Sequence, residues 1–87
     1  MASYELVFRK SVAKDLRRFP KQDVKRIMQS VRSLTDDPRP AGCEKLSGLE
    51  RYRIRQGVYR IVYEIEDARL VVLIVKVGHR RDVYRRN

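Results

Sequence analysis

The stretch R-Y-R-I-R-Q-G-V-Y-R at residues 51–60 decides the architecture. On a strand, residues two apart share a face, so Arg51, Arg53 and Arg55 project one way while Tyr52 and Ile54 project the other. Gln56-Gly57 supplies a turn, because Gly57 tolerates positive φ, and the returning strand carries Arg60 back towards the same region. The spacing predicts a hairpin, with strands at 51–55 and 58–65 and arginines gathered on one side. Guanidinium groups roughly 7 Å apart repel by about 2 kcal/mol per pair at an effective dielectric of ~20, and by about 0.6 kcal/mol in bulk water. Such crowding costs stability, and a polyanion lying across the strand would turn it into attraction.

Outward from the hairpin, Glu66-Asp67-Ala68 reads as a second turn, followed by a third strand at 70–77. Its run L-V-V-L-I-V is apolar on both faces, as suits a central strand. Towards the N-terminus, residues 39–48 hold Pro40, Gly42 and Gly48 without periodicity and read as a connecting loop that carries Lys45 and packs Leu46 or Leu49 inward. Before it, Val24, Ile27, Met28, Val31 and Leu34 form the apolar stripe of a helix that Pro20 can open and Asp36-Asp37-Pro38 ends. Val12, Ala13, Leu16 and Phe19 give an earlier helix, with Ser11 as its expected N-cap and Lys14, Arg17 and Arg18 on its wet side. Residues 4–8 alternate as a short first strand. The expected fold is α+β, in the order β-α-α-β-β-β. It is one domain over residues 1–87, with an antiparallel meander, an N-terminal strand and a two-helix hairpin on one face.

Eighty-seven residues suit one small core. The net charge of +10, from 21 Lys+Arg against 11 Asp+Glu, implies an anionic partner, with nucleic acid first, an acidic protein second and an anionic membrane surface third. Cys43 is the single cysteine, so no internal disulfide forms, and a reducing cytoplasm fits. The longest apolar run, residues 70–75, is far too short to span a bilayer, and the first ten residues do not read as a signal peptide. His79 is the only histidine, which leaves no metal-ligand spacing.

Three pieces occur in order: K-L-S-G-L-E-R-Y-R-I-R, G-V-Y-R-I-V-Y-E-I and L-V-V-L-I-V-K-V-G-H-R-R-D-V-Y. In this series the chain resembles the RelE branch of the RelE/ParE toxin superfamily over nearly its whole length. The resemblance implies a type II toxin that cuts messenger RNA in the A site of the 30S ribosomal subunit without metal or cofactor. The 2′-hydroxyl attacks the adjacent 3′-phosphate there. It also implies a RelB-like antitoxin as partner, in a complex that can reach a heterotetramer.

Carried onto this sequence, the family pattern places Arg53 and Arg55 where it has two lysines. Arg60 takes the arginine of Y-R, Arg80 that of V-G-x-R, and Tyr84 the tyrosine of the terminal V-Y. Arginine does not shuttle protons, so Arg53 and Arg55 are expected to act electrostatically, Arg60 to hold the scissile phosphate and Arg80 to stabilise the leaving group or the transition state. Tyr84, ordinarily ionising near pH ~10, needs a neighbouring cation to serve as base. His79 stands where the pattern has a lysine and is the rival proton carrier, since imidazole titrates near neutrality. Lys45, Arg51, Arg81 and Arg85 are the expected further RNA contacts.

Plainer readings stand beside these. Arginines on an edge strand guard against aggregation. Arg60 can pair with Glu64 or Glu66, Tyr84 can be an inert tail, and His79 an ordinary loop histidine. Tyr52, Tyr59 and Tyr63 could stack on bases, although the alternation assigns most of that set to the core. A ParE-like gyrase poison and a non-catalytic RNA-binding module are the alternative functions.

Overall fold

A computed structural model of the chain describes residues 3–46 and 50–80. Strand β1 (Glu5–Phe8) leads into helix α1 (Lys10–Arg18) and helix α2 (Lys21–Ser33). Strands β2 (Glu44–Leu46), β3 (Arg51–Gln56), β4 (Tyr59–Glu66) and β5 (Val71–His79) follow. The sheet order is β1-β5-β4-β3-β2. Strands β2 to β5 pair antiparallel in sequence, whereas β1 lies parallel to β5, Glu5 beside Val71 and Phe8 beside Ile74.

The α+β layering and the helical hairpin match the sequence pattern, with two differences in the sheet. The loop expected at 39–48 contains β2, which adds a fifth strand at the edge, and the parallel β1–β5 pairing makes the sheet mixed instead of a pure meander. Ser11 does not cap α1. Arg9 occupies that position without a side-chain hydrogen bond, and Pro20 precedes α2 as its N-cap.

The helices cover one sheet face. Val12 from α1 and Ile27, Val31 and Leu34 from α2 or its end are fully buried against Ile61, Tyr63, Val72 and Ile74. Burying each such side chain contributes roughly 1.5–3 kcal/mol. Tyr52, Tyr59 and Tyr63 belong to this core. Tyr63 donates to the carbonyl of Pro38 at 2.7 Å, Tyr52 lies against Tyr63 with ring centroids 5.9 Å apart, and Tyr59 packs on Phe19 at 4.8 Å. The Tyr59 hydroxyl donates to Asp23 at 2.7 Å, and that bond, with burial, raises its pKa.

Two backbone features set the other face. Gly57 adopts φ +61° at the β3–β4 turn, which holds the hairpin tight. Across β4 and β5, Val62 pairs with Lys76 but Tyr63 pairs with Ile74, so Val75 is an extra residue. This β-bulge shifts the alternation: Ile74 and Val77 both enter the core although they are three positions apart.

Candidate nucleic-acid interface

The sheet face away from the helices carries the arginines. On β3 the alternation is strict. Tyr52 and Ile54 are buried, while Arg51 and Arg53 are half-buried and Arg55 is exposed on the opposite side. The register sets Arg51 against Glu64, Arg53 against Val62 and Arg55 against Arg60. Directly opposed residues of an antiparallel pair have Cβ atoms about 4.5–5.5 Å apart, so Arg55 and Arg60 are immediate neighbours of like charge.

Arg60 is 5% exposed and is the one buried charged residue among those described. Its Nη1 donates to the Tyr59 carbonyl at 3.3 Å. Across β5 its neighbour is Gly78, so the adjoining strand offers no side chain at that point of the face. Two positions further on, the Arg80 amide donates to the Val58 carbonyl at 2.8 Å, which fixes the backbone of Arg80 at this end of the sheet.

A cleft of about 490 Å³ opens beside the pair, with Arg9, Arg51, Arg53 and Lys76 around an apolar floor of Val62 and Val75. Arg51, Arg53 and Lys76 carry internal counter-ions. Arg51 Nε and Nη2 donate to Glu64 at 3.1 and 2.5 Å, Arg53 Nε donates to Glu44 at 3.1 Å with Nη2 also engaged, and Lys76 reaches Asp15 at 3.4 Å. The repulsion expected along Arg51, Arg53 and Arg55 is therefore largely relieved at the first two. With Glu64 bonded to Arg51, the suggested Arg60–Glu64 pair does not form. Glu44 is held below the usual carboxylate range by its hydrogen bond and charge contact with Arg53, then by the charges of Arg55 and Arg60.

The far end of the same face has the opposite character. Glu5, Glu64 and Glu66, with Arg69, line a groove of about 370 Å³ floored by Val71 and Leu73. Charge thus changes sign along the face, and a polyanion is drawn to the end with Arg53, Arg55 and Arg60.

Two expected site residues lie elsewhere. Lys45 pairs with Tyr52 in register and so shares the helix-covered side; its ammonium is bonded to Glu50 at 3.1 Å. The His79 ring approaches Tyr59 edge-on at 6.3 Å, which also sets it on the helix side, while Arg60 faces the other way beside Arg55. Arg81, Tyr84 and Arg85 lie outside the described residues. Sequence reasoning missed Glu44, Arg9 and Lys76. Lys76 was open to detection from the run of β5, but the bulge reverses parity at Val75.

Among the described residues no group of three or more His, Cys, Asp or Glu side chains could hold a metal ion. No helix among them is long and apolar enough to cross a membrane.

A helical hairpin packed on one face of a five-stranded mixed sheet, with arginines ranked on the other, defines a RelE-like toxin domain. Residues 6–84 match the family described as the ParE toxin of type II toxin-antitoxin systems, parDE. Toxin RelG of Mycobacterium tuberculosis (strain ATCC 25618 / H37Rv) is 30% identical over 87 residues, spanning 95% of this chain and 98% of that protein. The archaeal RelE in its complex with RelB from Pyrococcus horikoshii OT3 superposes with a TM-score of 0.82 at 30% identity, over 90% of this chain and 96% of that one. The intact RelBE toxin-antitoxin complex of E. coli gives 0.77 at 27% identity, over 88% and 96%. The chain belongs to this ParE toxin family, within the RelE/ParE superfamily, and is a toxin of a type II toxin-antitoxin system.

Proposed function

We propose that the chain is a ribosome-dependent endoribonuclease that cuts messenger RNA in the A site without a metal. The observation that carries this reading is the Arg55–Arg60 cross-strand pair at the cationic end of the open face. Two guanidinium groups side by side on one sheet face can grip the non-bridging oxygens of a phosphodiester through charge-assisted hydrogen bonds.

In the reaction the 2′-oxygen forms a bond to phosphorus, the bond to the 5′-oxygen breaks, and the products are a 2′,3′-cyclic phosphate and a 5′-hydroxyl. Arg60 holds a non-bridging oxygen of the scissile phosphate, and Arg55 and Arg53 stabilise the charge that grows on the pentavalent phosphorus. Arg80 supports the departing 5′-oxygen. The 2′-hydroxyl proton passes to Tyr84, a role that rests on the family resemblance, and it is returned to the 5′-oxygen from the same group or from water. Arg51 extends the track along the RNA backbone, with Arg81 and Arg85 as further contacts.

The Pyrococcus and E. coli neighbours are complexes with RelB, which supports a RelB-like antitoxin as the partner that silences this chain, up to a heterotetramer. Action on ribosomes places the protein in the cytoplasm. The test is cleavage of a translated message on purified ribosomes. Arg60→Ala should slow the chemical step about 10²–10³-fold with ribosome binding largely kept. Undiminished cutting by Arg60→Ala and Tyr84→Phe would remove the assignment.

The ParE family match favours a second reading, a gyrase poison without nuclease chemistry. DNA damage with intact messages on expression would select it.

A further inference from the structure

Glu44 is a carboxylate set inside the cationic half of the open face. The edge strand β2 brings it opposite Arg53, and it accepts from Nε at 3.1 Å and from Nη2 of the same guanidinium. That edge is the one a phosphate takes in a forked, two-bond contact, so the carboxylate fills a place that RNA would use. Glu44 and Glu64 differ in how firmly they are held. Glu64 lies on β4 between two paired strands, and its ion pair is half-buried on both sides, at 33% and 30% exposure. Glu44 lies on a three-residue edge strand and is 51% exposed, while its partner Arg53 is only 19% exposed. A solvated carboxylate at a sheet edge can swing away at little cost, whereas the shielded guanidinium stays in place.

We propose that Glu44 is a built-in counter-ion that an RNA phosphate displaces from Arg53, and that it thereby sets how tightly the arginine face holds single-stranded RNA. The inference rests on the reading of that face as the RNA site and names what competes for it. Removing one negative charge a few ångströms from a bound phosphate strengthens binding by about 3- to 10-fold at the effective dielectric of a protein surface.

The test is fluorescence anisotropy of the full chain with a labelled single-stranded oligodeoxynucleotide. This probe offers phosphates but no 2′-hydroxyl and cannot be cut. Wild type, Glu44→Gln and Glu66→Gln are compared at one fixed salt concentration. Glu66 serves as control because it lies at the acidic end of the same face. Glu44→Gln should bind about 3- to 10-fold more tightly and Glu66→Gln less than about 2-fold. Equal gains in both would show a net-charge effect and overturn the proposal. Unchanged or weaker binding by Glu44→Gln would show that the carboxylate does not compete, or that it orients Arg53, and would overturn it too. The ratio is read whether or not wild type cuts RNA, so failure here is separate from failure of the nuclease reading.

Discussion

Arg55→Gln should separate stability from activity. Arg55 is exposed and stands directly across from Arg60. Two guanidinium charges roughly 7 Å apart repel by about 2.4 kcal/mol at an effective dielectric of 20 and about 0.6 kcal/mol in water. Exposure of Arg55 argues for the lower limit, and Glu44 offsets part of the remainder, since the charge of Arg55 helps to hold its carboxyl ionised. The net gain from removing the charge is about 0.5 kcal/mol, which for a domain of this size raises Tm by about 2–4 °C. Screening has a length of about 8 Å at physiological ionic strength, so the gain should shrink markedly between low salt and 0.5 M. The same substitution should slow message cleavage by about 10²-fold. Thermal melts by circular dichroism at two salt concentrations, with single-turnover cleavage on ribosomes, read both quantities. A loss of more than about 1 kcal/mol, or a gain indifferent to salt, would refute the electrostatic reasoning.

Other substitutions probe the frame. Tyr63→Phe leaves the buried Pro38 carbonyl without its 2.7 Å donor and should destabilise by about 1–3 kcal/mol in urea melts, with an unchanged m-value. Gly57→Ala meets no atom within 4 Å of its new Cβ, so only the φ of +61° is penalised; a loss of about 1 kcal/mol is expected, against nearly none if the turn relaxes. Asp67 accepts from Arg39 at 2.9 and 3.3 Å and from Tyr4 at 2.7 Å, and Arg39 first, then Tyr4, holds its pKa below the ordinary 3.8. A carboxyl with a folded-state pKa below its unfolded value stabilises above the unfolded value, and this contribution is lost as pH falls through the folded one. Asp67→Asn should therefore melt below wild type at pH 7, and the two curves should converge as the pH falls well below 3.8, through the depressed folded-state value; a constant gap would contradict the pairing.

The layering was legible in the chain because its signals are local. The stripe of Val24, Ile27, Val31 and Leu34 and the alternation of residues 51–55 each report which side is buried, and the structure buries those sides. Strand β2 was hidden because three residues carry too little pattern, and its pairing with β3 arises only once the sheet exists. The parallel placement of β1 beside β5 joins residues more than sixty positions apart and leaves no mark at either site.

The shared face of Arg51, Arg53, Arg55 and Arg60 followed from parity and the turn. Their counter-ions did not, since Glu44 and Glu64 lie nine and thirteen residues from the arginines they bind. His79 shows the weight of parity over proximity. It adjoins Arg80 in sequence, yet it shares the side of Val77, and its ring meets Tyr59 on the helix-covered face.

Cutting of RNA by transfer to the 2′-oxygen, as proposed for the arginine face, leaves a 5′-hydroxyl on every downstream fragment. Sequencing of RNA 5′-hydroxyl ends after induced expression reads that product. New 5′-hydroxyl ends within translated codons, absent on expression of Arg60→Ala, are the predicted result; intact messages accompanied by a DNA-damage response would contradict it.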